Sequence, residues 1–280
     1  WNLCSRSQRA GFPYIKRRNK KHDNSGNPQK IPRLKSCFLG KNMMISNFLK
    51  RRNWSSRALF SDIASSGWVN PGIDTSYQDF FMADLVSEYD SVNLYNFLYP
   101  RRESFSPYFV QYLDFWYIDE RNHADGFFEL NRLIFDTPEE SLLKKLHGRS
   151  ADFSGLTDIL SSEFNLLLMF AYDEYVSVKT YKKDIFYDDF GHPNFKLWIK
   201  NLIADEAIHF GNAVKILKTY YPHRLKEAEG VLRLIAGLEG DDYKNTFLFD
   251  HDGPHFLLNS EEMGNVVIEE IVTILNKRQP

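Results

Sequence analysis

The sequence predicts an all-α protein built around four long antiparallel helices. Segments 74–99, 106–134, 155–185 and 193–221 each repeat apolar residues at helical spacing over roughly 25–30 positions. Strand signals are nearly absent, because no Asn-Gly or Asp-Gly turn lies between two alternating runs. Long helices joined by short connections favour an antiparallel bundle.

Residues that commonly begin and end helices bound these segments. The first opens with Asp74-Thr75-Ser76, which are good N-cap types, and stops before Pro100. The second opens at Ser106-Pro107 and the fourth at Pro193, each with a proline at the first helical position. Three shorter helices are expected over 138–147, 223–239 and 260–277, and the last two close the chain.

The composition excludes several classes of protein. With 280 residues, 43% hydrophobic and 15% aromatic, the chain can bury a sizeable core and is not disordered throughout. No apolar run approaches the ~18 residues of a membrane-spanning helix, so we expect no membrane span. The only cysteines, Cys4 and Cys37, exclude a disulfide scaffold and a cysteine-ligated zinc or iron–sulfur site, and they suit a reducing compartment.

Charge divides the chain into a basic leader, residues 1–57, and an acidic body, residues 58–280. The leader holds 15 of the 35 Lys and Arg residues but one acid, Asp23, and glycines and prolines interrupt it; it is therefore predicted to be mostly disordered. Three interpretations stay open: a basic arm for nucleic acid or acidic proteins, an organelle transit peptide, or a gene-model artefact preceding a start at Met43-Met44. We expect a cytoplasmic protein, or a plastid stromal one if the leader is a transit peptide, and no nucleic-acid partner.

Two of the predicted long helices carry the same chemical motif. The second contains Glu120 and His123, and the fourth contains Glu206 and His209. In each, a carboxylate and an imidazole lie one helical turn apart on an otherwise apolar face. Such a pair can bind a metal ion inside a bundle, and the glutamate can bridge to a second ion.

A two-metal bundle also needs one carboxylate from each of the other two helices. Glu88 and Glu174 are the best candidates, because apolar residues surround both and each precedes its motif glutamate by 32 residues. Matched intervals are expected of two helix pairs related by a pseudo-twofold axis. The rival acids in these two helices are Asp84, Asp90, Glu163 and Asp173.

Other histidines near acids are expected to be unrelated to this site. Asp189 and His192 lie beside Gly191 and Pro193, at a helix boundary. His251 and His255 flank a Gly-Pro pair, where loop histidines are usually solvated.

These residues resemble a known family, the ferritin-like di-iron carboxylate proteins, and in particular the soluble acyl-acyl-carrier-protein desaturases. Desaturases carry Glu-Glu-Asn-Arg-His and Asp-Glu-Lys-Arg-His where this chain has Asp119-Glu-Arg-Asn-His123 and Asp205-Glu-Ala-Ile-His209. Met82-Ala-Asp-Leu-Val-Ser-Glu88 is similar to their first helix, and Ser177 lies where their third helix has a hydroxyl residue. The resemblance covers about residues 74–222.

The resemblance implies a ferritin-like four-helix bundle with extra C-terminal helices, and a site for two Fe2+ ions that reacts with O2. The metal ligands would be Glu88, Glu120, His123, Glu174, Glu206 and His209. Asp119 and Asp205 would orient the histidines from outside the ligand set, and Ser177 would also lie near it. Carboxylate and imidazole suit iron or manganese.

The activity implied is an O2-dependent oxidoreductase, desaturase-like, acting on an aliphatic chain such as a fatty acyl group on acyl carrier protein. The partners implied are an electron donor such as ferredoxin and the acyl carrier protein or another carrier, and the family is compatible with a homodimer. Ala207-Ile208 replaces Lys-Arg in the second motif, which leaves the ligands intact but the reaction open. The alternatives are another di-iron oxygenase (a hydroxylase, N-oxygenase or halogenase), a non-catalytic ferritin-like iron-binding protein, or a bundle that has lost its metal.

Overall fold

The predicted all-α class is confirmed. A computed structural model of the chain describes residues 48–149, 151, 153–183, 185–238 and 260–277, and no strand occurs among them. Short 3-10 turns join several of the helices. The helices are α1 (Ser56–Ser65), α2 (Gln78–Leu98), α3 (Pro107–Phe135), α4 (Glu139–His147), α5 (Thr157–Leu160), α6 (Glu163–Tyr181), α7 (Pro193–Tyr220), α8 (Ala228–Ala236) and α9 (Ser260–Asn276).

The four long helices α2, α3, α6 and α7 pair in antiparallel fashion. The amide of Asn131, near the end of α3, donates to the carbonyl of Phe81, near the start of α2. Between α6 and α7, the Phe164 and Tyr221 rings lie 5.7 Å apart, so the start of one helix meets the end of the other. α3 and α7 are also antiparallel, because Tyr108 stacks on Tyr220 at one end and Phe127 packs on Trp198 at the other.

Local capping explains where three of these helices begin. Ser106 accepts a hydrogen bond from the Phe109 amide before α3, and Ser162 accepts one from the Asn165 amide before α6. His192 caps α7 through Nδ1, which accepts from the Asn194 amide. His192 therefore serves the helix boundary, as the sequence indicated.

The buried apolar residues form two clusters. Three of the long helices, α2, α3 and α7, contribute one end to each cluster, and they change cluster at the same height in the bundle. In α3 the first cluster contains Trp116 and the second contains Phe127. In α7 the order is reversed, from Trp198 to Ala213, as antiparallel packing requires. The buried charged residues lie between these levels, so a thin polar layer separates two apolar cores.

The predicted boundary at residue 57 is wrong for residues 48–57. The segment 48–55 lies along α3 and α7, and the Asn212 side chain bonds both the amide and the carbonyl of Lys50. Ser56 is fully buried and donates to the Asn122 carbonyl. These contacts satisfy backbone groups and bury Leu49, which a disordered leader would not do.

The rest of the predicted leader, residues 1–47 with both cysteines, lies outside the described residues, as do His251, Asp252 and His255. Among the described helices, none combines the length and the apolar character needed to cross a membrane.

Candidate metal centre

The polar layer contains all six residues that the resemblance implied as ligands. Each is at most 6% exposed, and both histidines are buried among carboxylates. Charged side chains are rarely buried to this extent unless they are paired or bind a metal. The residues are Glu88 of α2, Glu120 and His123 of α3, Glu174 of α6, and Glu206 and His209 of α7.

These six side chains form two overlapping groups, each of which could hold a metal ion. The first is Glu88, Glu120, His123 and Glu206; the second is Glu120, Glu174, Glu206 and His209. Within a group, one ligand atom from each residue lies within 4.8 Å of the others. An ion with bonds of about 2.1 Å keeps its ligands within about 4.2 Å of one another, so only small shifts are needed. Glu120 and Glu206 belong to both groups.

Both imidazoles turn the same nitrogen toward the carboxylates. His123 Nδ1 lies 3.2 Å from Glu206 Oε1 and 3.5 Å from Glu88 Oε2. His209 Nδ1 lies 3.2 Å from both Glu120 Oε1 and Glu174 Oε2. Nδ1 is therefore the nitrogen that would bind a metal in each half of the site.

The other nitrogen of each imidazole meets an aspartate from the opposite motif. His123 Nε2 lies 3.4 Å from Asp205 Oδ2, and His209 Nε2 lies 3.3 Å from Asp119 Oδ2. An aspartate that accepts from Nε2–H selects the tautomer whose Nδ1 lone pair is free for a metal. Asp119 and Asp205 thus lie where they can orient the histidines, and each contacts the histidine of the other motif.

The segment 48–55 holds these aspartates from outside. Arg51 Nε donates to Asp119 Oδ1 at 2.8 Å, and Trp54 Nε1 donates to Asp205 Oδ2 at 2.5 Å. The Arg52 guanidinium lies 3.7 Å from Asp205 Oδ1. Sequence reasoning missed these three residues because it assigned them to the leader. The available signal was the capping pair Ser55-Ser56 with Leu59, Phe60 and Ile63, which indicates an amphipathic helix directly after them.

A tyrosine adds one further contact to the layer. The Tyr181 hydroxyl, from the end of α6, donates to Glu88 Oε1 at 2.6 Å. The second oxygen, Glu88 Oε2, makes no hydrogen bond to any described residue and faces His123. Tyr181 therefore orients Glu88 so that one oxygen points to the first group.

The electrostatics of the layer are those of a site that lacks positive charge. Burial raises the pKa of Glu88, and the nearby Glu120 raises it further; burial and Glu206 do the same for Glu174. Burial lowers the pKa of each histidine, but the carboxylates outweigh burial and raise both pKa values well above the usual range. Without a cation, the layer must hold protons to offset its negative charge.

Two features of the layer fit a pair of divalent cations. Glu88 Oε2, Glu120 Oε1, Glu174 Oε1 and His123 Nδ1 are buried and make no hydrogen bond among the described residues, although each faces the layer. Unsatisfied buried polar atoms are costly unless something else binds them. In addition, two divalent ions would balance the four glutamates if both histidines are neutral.

The other acidic residues considered from the sequence either pair with residues outside the metal groups or belong to neither group. Asp90 pairs with Arg149, and Glu163 accepts from both the amide and the hydroxyl of Ser106. Asp173 is buried beside Glu174 but belongs to neither group. Ser177 is half-buried, and no hydrogen bond among the described residues joins its hydroxyl to the layer.

No protein-family model matches the chain, and comparison with curated proteins and with solved structures finds no significant match.

Proposed function

We propose that this protein is a ferritin-like di-iron oxidoreductase that uses O2 to oxidise an aliphatic chain. The observation that carries the proposal is the pair of four-residue groups sharing Glu120 and Glu206. One Glu from each of two helices, together with a Glu-x-x-His pair from each of the other two, is the ligand pattern of di-iron and di-manganese carboxylate bundles. Ligands of this type favour iron or manganese, and no thiolate belongs to either group.

When bound, a reduced iron pair supplies the electrons and open coordination positions that O2 activation needs. The side chains of this protein hold and insulate that chemistry. Glu120 and Glu206, which belong to both groups, would help to hold both ions, while Glu88 and Glu174 would each help to hold one. Asp119 and Asp205 keep the protons on the Nε2 atoms of the two histidines. The apolar clusters on both sides of the layer exclude water.

An aliphatic substrate is proposed because apolar residues continue the ligand-bearing faces in both directions. A carrier-bound fatty acyl group, by resemblance to the desaturases, is the specific form we propose. Docking of an acidic carrier on the acidic body needs local positive charge. Lys182 and Lys183 are exposed directly after Tyr181, whose hydroxyl bonds Glu88, so they offer such charge near one end of the layer. Reduction of the iron would come from a donor such as ferredoxin.

The metal assignment is tested by anaerobic loading with Fe2+ and measurement of bound iron. Wild-type protein should bind about two ions per chain. Glu120→Gln should lose one or both, because Glu120 belongs to both groups. Glu129→Gln is the matched control, since Glu129 lies on α3 but pairs with Arg132 outside the layer. Full iron binding by Glu120→Gln and Glu206→Gln would contradict the assignment.

The reaction is tested with the iron-loaded protein, ferredoxin and its reductase, O2 and acyl-carrier-protein substrates. Mass spectrometry of the released chains separates the outcomes. Loss of two hydrogens indicates desaturation, gain of one oxygen indicates hydroxylation, and a chlorine isotope pattern indicates halogenation. Iron-loaded protein that consumes O2 but leaves every acyl chain unchanged would contradict an acyl substrate and favour an iron-storage role.

A further inference from the structure

Two tyrosines lie beside the polar layer, half-buried Tyr181 and buried Tyr112, and their hydroxyl groups differ in one respect. Tyr181 has its donor engaged, since it donates to Glu88 Oε1 at 2.6 Å. Tyr112 of α3 is 1% exposed, and its hydroxyl has no hydrogen-bond partner among the described residues. A buried hydroxyl without a partner is costly, so its presence beside a polar site calls for an acceptor.

Contacts place Tyr112 at the half of the layer formed by Glu174 and His209. Its ring lies 5.3 Å from that of Phe170, which precedes Glu174 by one helical turn on α6. Burial raises the pKa of Tyr112 well above its usual value, Glu174 raises it further, and His209 opposes them. Of the charges that act on this hydroxyl, Glu174, His209 and Glu120 belong to the second four-residue group, and Asp173 lies outside both groups.

The two metal positions therefore differ in what surrounds them. At the first position, Tyr181 holds Glu88 by Oε1 and leaves only Oε2 for an ion. At the second position, Glu174 Oε2 lies 3.2 Å from His209 Nδ1, Glu174 Oε1 makes no hydrogen bond among the described residues, and the Tyr112 donor is unused. Both glutamates thus keep one oxygen without a hydrogen bond, and the unused donor of Tyr112 is what distinguishes the second position for an added ligand.

We propose that the position formed by Glu174 and His209 is the one that accepts a small anionic ligand, and that the Tyr112 hydroxyl donates a hydrogen bond to it. The first position offers no such donor, because the Tyr181 hydroxyl already donates its hydrogen bond to Glu88. This inference rests on the proposed two-metal site and adds to it an asymmetry that the pseudo-twofold ligand pattern does not contain. Tyr112 would act as a binding residue for the added ligand and not as a metal ligand.

The probe is azide, added to the oxidised iron-loaded protein and followed by its charge-transfer absorption. Tyr112→Phe removes only the hydroxyl. It should retain two iron ions per chain and the wild-type melting temperature, because no hydrogen bond within the protein is lost. Azide affinity should fall about tenfold or more, as expected for one hydrogen bond to a charged acceptor.

Tyr181→Phe is the matched control, since it removes the same group beside the other half of the site. It should weaken the restraint on Glu88 yet leave azide affinity within about threefold of wild type, a change of well under 1 kcal/mol. Unchanged azide affinity in Tyr112→Phe, or an equal loss in both variants, would overturn the inference while leaving the metal site in place. Wild-type protein that binds no iron would overturn the proposed function and this inference together, and the iron measurement made beforehand identifies that case.

Discussion

At the residue scale, the layer depends on which atom each side chain presents. Both histidines present Nδ1 to the glutamates and Nε2 to an aspartate. The pKa values of both imidazoles and of Glu88 and Glu174 are raised, which favours the protonated forms of these groups when no cation is bound. Metal binding therefore has to displace protons.

We predict that loading with Fe2+ releases more than one proton per chain near neutral pH. Because the displaced protons belong to groups with raised pKa values, iron affinity should rise with pH through this range and fall as pH falls. Calorimetry in buffers of different ionisation enthalpy, under anaerobic conditions, measures the number of protons. Iron binding with no proton release would show that the layer is already deprotonated without metal.

Gly126 of α3 lies directly against the side chain of Trp198 on α7. A Cβ atom there would lie 2.2 Å from Nε1 of Trp198, whose indole is fully buried and donates to Ser56. Gly126→Ala should therefore lower the free energy of unfolding by roughly 1–3 kcal/mol, as overpacking does. Gly211→Ala is the control on α7, where the surroundings are open and the change should stabilise the helix by about 0.5–1 kcal/mol. Chemical denaturation of both variants measures the two changes in the free energy of unfolding, and equal stability of the two variants would refute the packing argument.

At the scale of the elements, most of the helices were predictable because their sequence signals are local. Pro107 and Pro193 begin α3 and α7 as predicted, and Gly148 ends α4. The helix faces that carry the six clustered side chains were predictable too, since spacing along one helix determines which residues share a face. The bundle pairing of two such faces follows from matched 32-residue intervals.

What could not be predicted depends on contacts between distant parts of the chain. Arg51 meets Asp119 across 68 positions and Trp54 meets Asp205 across 151, and no local pattern encodes either. The crossed pairing of each histidine with the other motif's aspartate, and the unpartnered Tyr112 hydroxyl, are likewise tertiary. A basic composition correctly describes segment 48–57, but composition cannot show that its charges are paired inside the fold.

The contact between Trp54 and Asp205 should matter for metal binding. Trp54→Phe keeps an aromatic ring but removes the donor to Asp205, which then orients His123 less firmly. Loss of such a supporting contact typically lowers metal affinity about 10–100-fold. Trp68→Phe is the matched control, because Trp68 Nε1 donates to the Phe190 carbonyl, away from the layer. Iron titration should separate the two, and equal iron affinities would contradict a supporting role for Trp54.

At the scale of the whole molecule, a polar layer lies between two apolar cores, and the segment 48–55 covers it along α3 and α7. The cores stabilise the helices, whereas the layer costs free energy until its charges are balanced. The segment contributes to that balance through Arg51, Arg52 and Trp54. Fold and site are therefore coupled at this segment.

Two truncations separate this segment from the residues before it. A chain starting at Met43 retains every contact described for residues 48–57, so its melting temperature should stay within a few degrees of the full chain and its iron content should be unchanged.

A chain starting at Ala58 also loses Leu49, Arg51, Trp54 and Ser56 from the fold. Removing Arg51 leaves Asp119 buried without its cation, and removing one partner of a buried ion pair typically costs about 3–5 kcal/mol. We therefore expect the shorter chain to melt well below the other and to bind little iron. Differential scanning calorimetry and iron analysis on both chains measure the effect, and equal behaviour of the two would show that segment 48–57 supports neither the fold nor the site.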